Sequence, residues 1–384
     1  YSDLGAFGGE IHTPNLDALA NQGKILTDYH TAPTCSPTRS QLISGTDHHL
    51  AGIGAMAELS PAHLKGQPGY EGYLNERSLS IADVLRNNGY RTYISGKWHL
   101  GLTPDTNAHA KGFDRSFTLL QGVDLHFKNT PNRYKRIANY TEDGKEVSFS
   151  ELPADFFSTD YYTDKLLQYF DKDQNSNKPF FAFASYTAPH WPIQAPQAFS
   201  DKYKGKYDVG YDVIRNNRIA RQKQLGIIPV NFNPAKPLET ANIPNYPTWD
   251  NLSPEQKAFE ARKMEIYAGM VENLYHNVGR IIQYLKDHGQ YDNTLIFFVS
   301  DNGAEGFLLN SVDETVFDQS LDAIGTDQSF HYVGPRWAEV SAAPFHLWKA
   351  TAGEGATTSP AIVKLPNQKQ AKEKYHGFAS VLDI

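Results

Sequence analysis

The segment Thr34-Cys35-Ser36-Pro37-Thr38-Arg39-Ser40 holds the only cysteine in the chain, with an arginine four residues on. Pro37 suits the first turn of a helix, so Cys35 is expected at a helix N-terminus, where free N–H groups and the dipole favour an anion. Arg39 follows one turn later, which returns its guanidinium to the same face. A lone cysteine reads either as a small buried hydrophobe or as a thiolate nucleophile. Lys97 and His99 lie two residues apart in Gly96-Lys97-Trp98-His99-Leu100-Gly101 and share a face while that segment stays extended. Taken alone, the lysine is a solvated charge and the histidine a satisfied polar group. His190, in Ala188-Pro189-His190-Trp191-Pro192, follows an apolar run and either serves a site or packs against Trp191 and Pro192. Asp301-Asn302 ends another apolar run. Two adjacent hard oxygen donors suit Ca²⁺ or Mg²⁺ rather than zinc, although Asp-Asn-Gly is also a common turn. Asp47-His48-His49 mimics metal ligands, but no third partner has metal-site spacing, and a structural role is expected.

Positioning these groups requires strands that deliver them and helices that cover the strands. Thr13-Pro14 opens a helix that Gly23 ends, and Lys24 to Thr31 reads as a strand. Ser80 to Asn88 is a helix closed by Gly89, followed by a strand at Arg91 to Ser95. The continuous apolar runs Pro179 to Ala184 and Thr294 to Val299 are expected to be strands covered on both faces. Pro254 to His288 carries the clearest helical period, with Ser253 as cap and Gln256 at the capping-box position. Helix then strand, repeated, predicts an α/β fold with a mostly parallel sheet between helices, and sites at the strands' carboxyl ends. Residues 51–77, 128–155 and 226–251 resist this scheme and read as insertions that shape a site mouth.

Composition excludes several functions. The 384 residues carry 36 Lys+Arg against 43 Asp+Glu, a net charge of −7, with no run of five basic residues, so nucleic acid is not an expected partner. One cysteine excludes an intramolecular disulfide framework. No apolar run reaches membrane-spanning length, so no membrane span is expected. The chain starts at Tyr1 without a leader and reads as part of a longer protein; a soluble protein is expected, with the cytoplasm favoured over periplasm or secretion.

Cys35-Ser36-Pro37-Thr38-Arg39, with the tail Ser40 to Gly45, resembles the signature of the type I sulfatases. Other family motifs follow in order: Gly8-Gly9 and Thr13 to Ala20, Gly96 to Gly101, Ala188 to Pro192, Ser300 to Gly306, and Leu347-Trp348-Lys349-Ala350. Thr46 to His49 and Gly69-Tyr70-Glu71-Gly72 make the chain most similar to bacterial-type arylsulfatases. The resemblance implies an alkaline-phosphatase-like helix–sheet–helix sandwich with a mostly parallel, mixed central sheet. It implies hydrolysis of a small-molecule aryl or alkyl sulfate ester. Cys35 would be oxidised to Cα-formylglycine by a formylglycine-generating or sulfatase-maturing enzyme, and its hydrated aldehyde would attack sulfur. One Ca²⁺ would be ligated by Asp301, Asn302 and the modified Cys35. The family's catalytic set maps onto Cys35, Arg39, Lys97, His99 and His190; Lys97, His190 and Lys349 would bind sulfate, His99 would be the base and His190 the acid toward the leaving alcohol.

The family's metal site also uses two adjacent aspartates, just before the segment matching Tyr1 to Gly5, and Asp3 does not align with either. Gly353 to Pro360 departs from the family's Gly-Gly-x-Arg-Val-Pro. The chain is thus expected to be one catalytic domain over residues 1–384, trimmed at both ends. A formylglycine-dependent phosphonate monoester or phosphodiester hydrolase, and an inactive relative that keeps only the fold, remain the alternatives.

Overall fold

The computed structural model describes residues 1–128, 139–239, 246–306, 316–368 and 373–384. The chain forms two compact units, one of residues 34–187 and 380–384, the other of residues 1–33 and 188–379.

The first unit is built on a five-stranded sheet in the order Lys145–Val147, Tyr140–Glu142, Arg115–Leu119, Arg91–Lys97 and Phe180–Ser185. The Arg91–Lys97 strand runs parallel to both neighbours, while the Tyr140–Glu142 and Lys145–Val147 strands add antiparallel pairs. That hairpin lies inside the stretch read as an irregular insertion. Its turn is Asp143-Gly144 with φ of 48° and 80°, the left-handed pair that a two-residue hairpin needs. The helix Ile81–Asn87 starts where expected, with the Ser80 hydroxyl accepting from the Asp83 N–H. Ile43, Ile94, Trp98, Leu100 and Phe113 join one core, each almost fully buried and contributing roughly 1.5–3 kcal/mol relative to exposure. Trp98 is 0% exposed and its indole N–H donates to Thr106 O at 2.9 Å, so the residues on either side of it face away from that core.

The second unit carries a mixed four-stranded sheet, Glu373–Tyr375, Lys24–Leu26, Ala361–Lys364 and Ile296–Val299. The expected strand from Lys24 to Thr31 divides into Lys24–Leu26 and Tyr29–His30, because the Thr27 N–H turns to Tyr375 O. Helix Pro14–Gln22 has Pro14 at its first position and Gly23 at its end. Helix Pro254–Asp287 has both arms of the capping box: the Ser253 hydroxyl accepts from the Gln256 N–H, and Gln256 Oε1 accepts from the Ser253 N–H at 2.9 Å.

One expectation fails in both units. Phe180 to Ala184 and Ile296 to Val299 are only half-buried, not covered on both faces. Each is the edge of its own sheet among the described residues, paired with a single neighbour, so one flank of its backbone and side chains stays accessible. Among the described residues no helix is long and apolar enough to cross a membrane.

Candidate active site

Cys35 is the first residue of the helix Cys35–Ser44, with Thr34 as cap and Gly45 closing it at φ 61°. Cys35 forms no disulfide and is 2% exposed, so the expected helix N-terminus and burial hold together. Arg39 behaves as a strut. Its guanidinium donates to Lys97 O at 2.5 Å, to Trp98 O at 3.2 Å and to the Ser185 hydroxyl, tying this helix to the end of the Arg91–Lys97 strand. Ser185 in turn donates to Lys97 O at 2.6 Å. The sequence reading missed Ser185, though it closes the apolar run Phe180 to Ala184.

Lys97 is 2% exposed, and its ammonium has no hydrogen-bond or ion-pair partner among the described residues. A buried cation left in this state is a receptor for an anion. His99 has φ 58°, a left-handed conformation that turns its ring out of the strand's alternation. Its Nε2 lies 3.0 Å from Glu58 Oε1 and 3.3 Å from Oε2, while Nδ1 is buried and unpartnered. Burial pushes the Glu58 carboxyl up, but the hydrogen bond and charge of His99, with Lys97, outweigh it and hold the group at about 2.

In the other unit the structure brings His190, Lys349 and Glu305 together. Lys349 Nζ lies 2.6 Å from Glu305 Oε2 and 2.8 Å from His190 Nε2, with His190 Nε2 and Glu305 Oε2 3.5 Å apart. His190 Nδ1 is 3.0 Å from Trp191 O, which can only accept, and the ammonium can only donate. His190 is therefore neutral here with its proton on Nδ1. Glu305 carried no assigned role from sequence, although it directly follows the Asp301 motif. The Lys349 N–H also donates to Ala304 O at 2.9 Å, locking the two segments together.

Asp301 and Asn302 follow the Ile296–Val299 strand. The Asn302 amide nitrogen donates to Gly303 O at 2.9 Å, while its Oδ1 is buried and accepts nothing. An orphaned amide oxygen beside a carboxylate is the donor set of a hard divalent cation, so these residues fit calcium. Gly303 is required for close packing: a Cβ there would stand 1.8 Å from Gly355 O, and its N–H donates to Ala356 O at 2.7 Å. The unusual Gly353 to Pro360 segment, with its short helix Glu354–Thr357, is thereby packed against the Asp301 turn. Asp3 is held by Arg218 at 2.6 Å, Ser341 at 2.7 Å and Tyr267 at 3.0 Å, a structural engagement. Asp47, His48 and His49 do gather, with donor atoms within 4.8 Å of one another at the surface, and His48 Nδ1 lies 3.1 Å from Ile53 O.

The sulfatase family model matches residues 1–384. An uncharacterized sulfatase of Schizosaccharomyces pombe is 44% identical over 400 residues, covering 100% of this chain and 71% of that protein. The arylsulfatase of Klebsiella aerogenes is 37% identical over 377 residues, covering 95% of this chain and 78% of its own length. The solved PsFucS1 sulfatase of a Pseudoalteromonas species shares the fold, with TM-score 0.59 and 21% identity over 100% of this chain and 63% of that one. The buried lysine, the two histidines and the orphaned amide oxygen thus sit in a chain that belongs to the sulfatase family, hydrolases of sulfuric ester bonds.

Proposed function

We propose that this chain hydrolyses aryl or alkyl sulfate esters as an arylsulfatase, using Cα-formylglycine made from Cys35 by a formylglycine-generating or sulfatase-maturing enzyme, and one Ca²⁺ held by Asp301, Asn302 and the modified Cys35. The observation that carries the proposal is the buried Lys97 ammonium without an acceptor among the described residues. When present, the aldehyde hydrate supplies the attacking oxygen, and calcium adds Lewis-acid stabilisation of charge.

The chain's own residues have the following tasks. Lys97 receives a sulfate oxygen, replacing the partner it does not have within its unit. Lys349 takes a second oxygen, for which it must partly leave His190; Glu305 keeps its ammonium in place meanwhile. Once Lys349 turns to the substrate, the bare His190 Nε2 can take up a proton from solvent and then deliver it to the leaving alkoxide, a contribution of about 10²–10⁴ in rate. His99 accepts the proton that must depart for sulfate release. Arg39 acts as a positioning residue that fixes the Cys35 helix against the strand end bearing Lys97.

The test joins two measurements on one purified sample: peptide mass spectrometry across Cys35, and release of p-nitrophenol from p-nitrophenyl sulfate with and without Ca²⁺. Conversion of Cys35 together with metal-dependent release is expected. Converted protein that releases no sulfate, or that prefers a matched phosphodiester, overturns the proposal.

A further inference from the structure

The two ring nitrogens of His99 have wholly different surroundings. Glu58 lies 41 residues away in sequence, in a turn closed by the Leu59 N–H donating to Met56 O at 3.0 Å. Met56 is 8% exposed and anchors that turn, which places the carboxylate on His99 Nε2 at 3.0 Å. The carboxylate is ionised and can only accept, so Nε2 must carry a proton. Nδ1 is buried with nothing to accept from it. A proton there would cost about 1–3 kcal/mol as an orphaned donor, and moving the ring's single proton from Nε2 to Nδ1 would also aim a lone pair at the carboxylate. The ring is held in this orientation by Gly122: a Cβ at that position would fall 2.4 Å from His99 Cε1, 2.7 Å from Nε2 and 2.8 Å from Nδ1. No side chain larger than hydrogen leaves room for the ring, and the left-handed φ of 58° at His99 is what delivers it there.

We infer that Glu58 is a positioning residue that fixes His99 as the Nε2–H tautomer, leaving the bare Nδ1 as the atom that accepts a proton in the reaction. The inference rests on the proposed role of His99 as base. A carboxylate in this role sets ring orientation and tautomer without touching substrate, as carboxylates do behind other functional histidines. Lys97 is the other charge facing this pair. His190 is held in the opposite tautomer, by Trp191 O and Lys349, so the two histidines are prepared for different proton tasks.

The experiment is ¹⁵N NMR of histidine-labelled full-length chain, with His99→Asn identifying the His99 signals among the 14 histidines. The wild type should show a pyrrole-type Nε2 and a pyridine-type Nδ1. Glu58→Ala should mix the two tautomers, and Glu58→Gln, which keeps an acceptor oxygen, should restore the wild-type pattern. In protein with verified Cys35 conversion, kcat should fall about 10- to 100-fold in Glu58→Ala, with KM changed less than about twofold and partial recovery in Glu58→Gln. Because Glu58 is half exposed, loss of folding is not expected to intervene. Gly122→Ala, whose Cβ would displace the ring from this position, should reproduce the mixed tautomer. A wild-type Nδ1 that carries the proton, or a Glu58→Ala spectrum and kcat identical to wild type, overturns the inference. Converted wild-type protein with the expected tautomer but no sulfate release removes the proposed function instead, and leaves the Glu58–His99 pair standing.

Discussion

The cationic side chains of the two units differ in how their charge is compensated. Lys97 is 2% exposed and makes no hydrogen bond or ion pair among the described residues, its charge being met only by the more distant Glu58 carboxylate, a state that costs stability and is retained where an anion is to be received. Lys97→Met should therefore raise the free energy of unfolding in urea by about 1–2 kcal/mol, while lowering kcat/KM on an aryl sulfate by about 10²–10³. Opposite movement of the two readouts is the signature; a fall in both would make Lys97 a structural residue. Lys349 is the reverse case, with its side chain 6% and that of Glu305 10% exposed. Lys349→Ala strands a buried carboxylate and should cost about 3–5 kcal/mol, and adding Glu305→Gln should return most of that loss. Equal stability of the single and double variants in urea unfolding would show that the pair is not coupled.

Elements were legible where their signals were local. Ser253 and Gln256 announce the start of the 34-residue helix because both arms of the capping box lie within four residues. Cys35 at a helix start was legible for the same reason, since Pro37 and Gly45 bracket the helix. The hairpin Tyr140–Glu142 with Lys145–Val147 was missed although Asp143-Gly144 is a strong turn signal, because the flanking strands are three residues long and mostly polar. Gly144→Ala should cost roughly 1–2 kcal/mol, as an L side chain resists the 80° φ and its Cβ would meet His109 Cδ2 at 3.1 Å. Gly144→Asn should cost less, and hydrogen exchange in the Tyr140–Val147 ladder reports both. Glu58, Ser185 and Gly122 were beyond reading: each matters through a neighbour distant in sequence, and no spacing rule connects Glu58 to His99. The edge positions of Phe180–Ser185 and Ile296–Val299 were hidden likewise, since an apolar run looks the same in the middle of a sheet and at its margin.

At the scale of the whole molecule, pH acts through a buried histidine to which the proposed chemistry gives no role. His331 is 7% exposed, edge-on to Phe259 at 5.3 Å, and burial, aided by the Lys263 charge, lowers its pKa to about 4. Its folded pKa lies below the unfolded value of 6.5, so the unfolded chain takes up this proton first and stability falls as pH drops from about 6.5 to about 4. The loss should approach roughly 3 kcal/mol from this group, and His331→Gln should flatten the urea midpoint across that interval. An unchanged slope would assign the acid sensitivity to other groups.

The burial of Cys35 finally bears on the order of events in the life of the chain. At 2% exposure the sulfur offers an enzyme no extended strand to grip and no room to bring an oxidant. The conversion proposed for Cys35 would then have to precede the packing of the Cys35–Ser44 helix, during synthesis or before the chain settles. Folded, unconverted protein should resist alkylation until urea opens it, and should stay unconverted when a maturing enzyme is supplied late, as mass spectrometry over time would report. On that proposal folding closes a window, and a chain that folds too quickly would trap itself as a thiol.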